Sequence, residues 1–135
     1  MLTQVLTLIV WTLIMWFWLY ATRIPAMHRA RLDVRKVTRA DVEALPPYAT
    51  RAADNYNHLH EQPTLFYALA FYTNLTGMAD VTNERLAWAY VGLRVAHSLV
   101  QATINFVPLR FSLFALASAM LIAITVRDVI VLICI

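Results

Sequence analysis

Hydrophobic and polar positions alternate along the chain on the scale of a bilayer. Four long apolar stretches stand out, at residues 2–21, 52–76, 86–106 and 109–133. Each is close to the ~20 residues a helix needs to cross a hydrocarbon core. A spanning segment must satisfy its backbone hydrogen bonds internally, and the two-residue alternation of a membrane barrel is missing. The pattern therefore predicts an all-α integral membrane protein, a single four-span transmembrane domain over residues 1–135 folded as a four-helix bundle. The second stretch is polar before Pro63 and apolar after it, which predicts a kinked helix whose first half faces protein.

Composition agrees with this pattern. The chain is 61% hydrophobic and 14% charged, with two glycines in 135 residues, too apolar a balance for a typical soluble domain. No basic region precedes the first stretch and no small-residue cleavage site follows it, so a retained span is expected in place of a signal peptide. The single cysteine, Cys134, has no intrachain partner and is read as a packing or lipid-facing residue.

Charge gives an orientation. The connection from Arg23 to Thr50 carries Arg23, Arg29, Arg31, Arg35, Lys36 and Arg39 against Asp33, Asp41 and Glu43. The positive-inside bias places this loop in the cytoplasm and both termini on the other side, making a multi-pass protein. Trp16, Trp18 and Tyr20 fit an interfacial belt just before it. The basic loop is expected to touch anionic lipid headgroups, and no nucleic-acid role is expected of it.

The candidate chemistry lies in polar residues inside the apolar segments, which are costly at membrane depth and tend to line a cavity or pair with one another. Arg51, Asn55, His58 and Gln62 recur at intervals of four, three and four, so they share one helical face. Tyr90, Arg94, His97, Gln101 and Asn105 form a matching stripe on the third stretch. With a rise of ~1.5 Å per residue, Glu61 lies roughly 15 Å in from Arg51, and Arg94 roughly 18 Å in from Phe106. Similar depth makes a Glu61–Arg94 ion pair the expectation. The second and fourth helices both start at proline, so their positive dipole ends converge with Arg51 and Arg110 in an arrangement suited to an anion. His58, His60 and His97 lack convincing ligand spacing, and no metal site is expected. Arg127 and Asp128 are read as a local interface pair. No phosphate loop, nucleophile elbow or internal repeat is present.

With four spans, a basic first loop, Arg51-Ala52-x-x-Asn55, Glu61-Gln62-Pro63, Arg94-x-x-His97 and Pro108-x-Arg110 in this order, nearly the whole chain resembles the MAPEG family, the membrane-associated proteins in eicosanoid and glutathione metabolism. The likeness is to its bacterial-type branch, which implies an inner-membrane location. The resemblance further implies a homotrimer that binds glutathione as co-substrate between neighbouring subunits near the cytoplasmic side, and a lipophilic small-molecule substrate that enters from the membrane lipids. Arg51, Asn55, His58, Glu61, Arg94 and His97 would bind glutathione, and Arg110 would be catalytic by stabilising its thiolate. Two positions depart from the family pattern. His58 stands where its glutamate usually falls, with Glu61 one turn later, and Gln101 replaces a frequent tyrosine. The expected function is a glutathione transferase or peroxidase acting on lipophilic electrophiles. The alternative is a non-catalytic membrane protein that binds a lipid or a regulatory partner through the same polar cleft. A transporter ranks third, since no pair of interrupted helices occupies corresponding halves.

Overall fold

The computed structural model describes residues 1–134; Ile135, the last residue of the expected domain, lies outside the described residues. The described chain forms α1 (Leu2–Arg29), α2 (Arg39–Glu43), α3 (Pro47–His58), α4 (Gln62–Leu75), α5 (Val81–Ala102) and α6 (Val107–Cys134), without a strand among the described residues.

The first helix runs eight residues beyond the apolar stretch that announced it. Hydropathy marks the length that can lie in lipid, whereas the helix continues until Arg31 adopts a left-handed conformation, φ 53°, and Leu32 N–H donates to the Met27 carbonyl. The extension has a packing reason, because Ala26 is buried against Leu45 and Ala49 in a small second core. The short α2 is fixed by a reciprocal capping box between Thr38 and Asp41. The backbone and hydroxyl hydrogen bonds from Thr38 hold the Asp41 carboxyl below the usual carboxylate range.

The second apolar stretch is two helices. Proline at 63 has no N–H to give to the carbonyl of Leu59, and its ring would clash with that carbonyl in a continuous helix. The chain accordingly leaves the helix between Leu59 and Glu61, where Glu61 has ψ −96°, and restarts as α4 with Pro63 in the first turn. The expected kink is therefore a full interruption. The third stretch ends sooner than its apolar limit: α5 stops at Ala102, and Asn105 takes a left-handed conformation, φ 53°, outside any helix.

The main core joins Val5 and Leu8 of α1, Phe66 and Ala70 of α4, Ala87, Tyr90 and Val91 of α5, and Ala117, Leu121 and Ile124 of α6. Phe66 stacks on Tyr90 with ring centroids 4.4 Å apart. Polar ties cross the same interfaces: Trp11 Nε1 donates to Ser98 Oγ at 3.0 Å, and Gln62 Nε2 to Ser118 Oγ at 2.7 Å. Among the described residues two helices, α1 and α6, are long and apolar enough to cross a membrane. Only 17% of the most apolar stretch of α6 is buried within the protein, the opposite of a soluble core helix. By contrast α3 and α4 have 12 and 14 residues, and α5 carries Arg85 and Arg94.

At the end of the molecule where α4 closes and α5 begins, Asp128 is buried, not paired with Arg127. It accepts hydrogen bonds from Thr73 Oγ1 and Asn83 Nδ2. Arg127 turns to Asn83 Oδ1 and to Asp80, the N-cap of α5. The expected local pair is thus corrected: neighbours in sequence on a helix point about 100° apart, so the two charges serve different partners. Together these bonds clasp α4, α5 and α6.

Two outcomes follow from the clasp. Replacing Asp128 with alanine removes two buried hydrogen bonds that tie α6 to α4 and α5, and should cost about 1–3 kcal/mol of stability, read as a lowered unfolding midpoint in detergent, with Asp128→Asn milder. The second concerns acid. The Asn83 N–H foremost, and the Arg127 charge, hold the Asp80 carboxyl below its usual range. A depressed folded value means that the stabilisation is full above about pH 4 and disappears as pH falls through the folded value. Thermal midpoints should drop with acid in the parent more than in Asp80→Asn.

Candidate functional site

At the opposite end of α5 the break in the second stretch creates a polar corner. The interruption frees the His58 carbonyl from its normal place in a helical ladder. Its N–H partner within the chain, Glu61, is distant at 3.4 Å, and Arg94 Nη2 donates to it at 2.8 Å. A buried arginine therefore satisfies a backbone carbonyl that a helix break has exposed, as buried polar backbone requires. Arg94 is 1% exposed, and its Nε and Nη1 have no hydrogen-bond partner within the protein. Its guanidinium carbon lies 5.7 Å from the centroid of the Phe114 ring, a cation–π contact.

The Glu61–Arg94 ion pair expected from depth does not form among the described residues. Equal depth fixes height along the bundle but not the direction of a side chain, and the break turns Glu61 outward. Its carboxylate instead accepts a hydrogen bond from His58 Nδ1 at 2.9 Å, with 62% of the Glu61 side chain exposed. Because an ionised carboxylate can only accept, this bond places the imidazole proton on Nδ1 and leaves Nε2 as an acceptor.

His58, Glu61, His97 and Arg110 line one cleft of about 290 Å³, whose other wall is Val107, Phe111 and Phe114. The His58 and His97 rings are 6.2 Å apart. Arg110 is steadied by Nη1 donating to Asn105 Oδ1 at 2.5 Å, so the left-handed turn before α6 is also the anchor of this arginine. The cleft thus has a cationic and imidazole wall facing an aromatic wall.

Arg51 and Asn55 lie elsewhere on the α3 face. Arg51 Nη1 donates to the Thr103 carbonyl at 3.0 Å, satisfying an acceptor at the end of α5. Asn55 is 1% exposed, with neither amide atom hydrogen-bonded within the protein, and Gln101 is equally buried on α5. Four of the seven sequence-predicted residues therefore share the cleft. Arg94 lies behind it, Asn55 is buried on α3, and Arg51 bonds the end of α5. The aromatic wall was missed by sequence reasoning, although Phe114 follows Arg110 by one turn and the spacing carried that signal.

The family model for MAPEG matches residues 1–130, a stretch that takes in α1 to α5 and most of α6. The chain belongs to the MAPEG family. Neither the curated proteins nor the solved structures gave a match to it. MAPEG proteins are helical and membrane-associated and include glutathione-dependent transferases and peroxidases. In this MAPEG chain the extended first helix, the broken second stretch and the cleft all fall inside the matched residues.

Because Arg94 is not paired with a carboxylate, its removal leaves no buried charge stranded. Arg94→Met loses the bond to the His58 carbonyl, worth about 1–3 kcal/mol, but also relieves the burial of a guanidinium with two unpaired donor nitrogens. The net change in stability should stay within about 1 kcal/mol, smaller than for Asp128→Ala, when both are unfolded in the same detergent. A loss near that of a broken buried ion pair would mean that Arg94 has a carboxylate partner after all.

Proposed function

We propose that this MAPEG protein is a glutathione-dependent membrane enzyme of the transferase or peroxidase type, acting on lipophilic electrophiles at the cleft between the α3–α4 break, α5 and α6. The observation that carries the proposal is the placement of Arg110 and the rings of Phe111 and Phe114 in one cleft. A thiolate needs a cation, a lipophilic electrophile needs an apolar wall, and the two must meet. A thiol of the cysteine type titrates near ~8.5, and lowering that by about 2 units requires roughly 2.7 kcal/mol of preferential stabilisation of the anion. A guanidinium at the start of a helix in a partly apolar cleft is suited to that task.

Size supports an assembly. The cleft's 290 Å³ sits at the lower edge of the roughly 300–1,000 Å³ usual for ligand pockets, enough for the thiol end of a tripeptide and part of an electrophile. In the proposed homotrimer of four-helix bundles a neighbouring subunit supplies the rest of the glutathione site. Arg51 at the end of the α3 face meets a tripeptide carboxylate, and Asn55 and Arg94 support the site from within. The basic loop is cytoplasmic, in a bacterial inner membrane, and the electrophile arrives through the lipid-facing side at Val107 and Phe111, both exposed.

The exposed aromatic wall also favours a second reading, a non-catalytic site that holds an acyl chain. The ultraviolet difference absorbance of glutathione thiolate, measured on purified protein at neutral pH, separates the two. A stoichiometric signal that vanishes in Arg110→Ala is expected of the enzyme; folded protein without signal and without thiol turnover would leave the lipid-binding reading.

A further inference from the structure

Stabilising a thiolate solves half of the chemistry, because the thiol proton must also leave. Neither arginine can accept it, since guanidinium groups stay charged and have no lone pair to offer. Two imidazoles reach the cleft. His97 is 5% exposed and faces Arg94, Arg110 and His58 with no carboxylate against it, so a proton placed there would add another cation among cations. His58 differs in one respect that decides the matter: its Nδ1 donates to the Glu61 carboxylate at 2.9 Å. That bond orients the ring, leaves the Nε2 lone pair free and compensates the charge that a second proton would bring. The charged and titratable groups around His58 are Glu61 at the break, Arg94 and His97 from α5, and Arg110 from α6; Glu61 is the anion among them.

We propose that His58, positioned by Glu61, is the general base that removes the thiol proton in this cleft. The proposal rests on the glutathione reading above and adds to it the fate of the proton. The S–H bond breaks, its proton passes to His58 Nε2, and the sulfur keeps the electron pair beside Arg110. With an α,β-unsaturated carbonyl compound as electrophile, that pair forms the new C–S bond and the alkene π pair moves to the carbonyl oxygen as an enolate. The imidazolium then returns its proton to the enolate carbon, so the sum is addition of the thiol across the double bond and the enzyme is regenerated. Glu61 acts through His58 and is a positioning residue.

The pH dependence of kcat/KM for glutathione addition to a long-chain enone tests this on the full-length protein in detergent or nanodiscs. The parent should show a limb that rises with pH, because kcat/KM grows as the base loses its proton. In His58→Gln, which keeps the backbone carbonyl that Arg94 bonds, the rate at pH 7 should fall about 10²-fold or more and the limb should move toward the thiol's own ionisation near ~8.5. Glu61→Gln should fall between the two. A His58→Gln variant that retains the parent limb and a rate within a few fold would overturn the assignment of the base while leaving the glutathione reading standing. A parent protein with neither thiolate signal nor turnover on the enone would overturn both.

Discussion

The arrangement of the site depends on how a broken helix is made tolerable in the interior of the protein. Pro63 forbids a continuous helix over the second apolar stretch, and the interruption at Leu59–Glu61 leaves backbone acceptors without helical donors. The hydrogen bond from Arg94 to the His58 carbonyl meets that need and fixes α5 against the end of α3. Once that contact is made, the other placements follow. The His97 ring, one turn along α5, comes within 6.2 Å of His58, and Phe114 of α6 packs on the Arg94 guanidinium. An apolar residue at 94 could fill the volume but would leave the break without its donor.

The two ends of α5 carry polar networks of different kinds. Where α5 begins, Asp128, Thr73 and Asn83 form a closed set, with Arg127 and Asp80 completing it, so every buried group there has a partner. Toward its other end, Asn55, Gln101 and Arg94 keep atoms without partners inside the protein, and Arg110 Nε does as well. Satisfied networks rigidify, whereas unsatisfied buried groups cost free energy and each calls for a physical explanation. The clasp therefore holds the helices together at one end while the other end carries groups suited to binding.

Much of this was legible in the sequence, for physical reasons that differ by residue. Periodicity placed Tyr90, Arg94, His97 and Gln101 on one face, and the structure buries all four. The same periodicity overran the helix in counting Asn105, since hydropathy cannot see that a residue in a left-handed turn has left the ladder. The proline at 63 announced a disturbance, but its extent depends on whether a donor such as Arg94 is at hand, which is a tertiary fact. For the same reason the depth argument put Glu61 level with Arg94 and paired them wrongly. Depth follows from rise per residue, whereas direction depends on the dihedral angles of the break. Arg127 and Asp128 were misread as partners because adjacency in sequence is not adjacency on a helix.

The departure at position 58 takes on a different meaning beside the break. The resemblance to the family implied a glutamate there, and this chain has His58 with Glu61 three residues on. On a helix, three residues complete about 300°, so a carboxylate moved by three stays near the same face, roughly 4.5 Å farther along. The interruption then carries Glu61 off the helix, and its carboxylate reaches back to His58 Nδ1. A carboxylate is thus kept in the cleft, hydrogen-bonded to an imidazole that lines the cleft beside it. The exchange replaces an anion, which can only accept hydrogen bonds, with a pair whose imidazole has both a donor and an acceptor nitrogen. Since Pro63 causes the break and the break brings Glu61 to His58, the helix defect and the altered chemistry have a common origin.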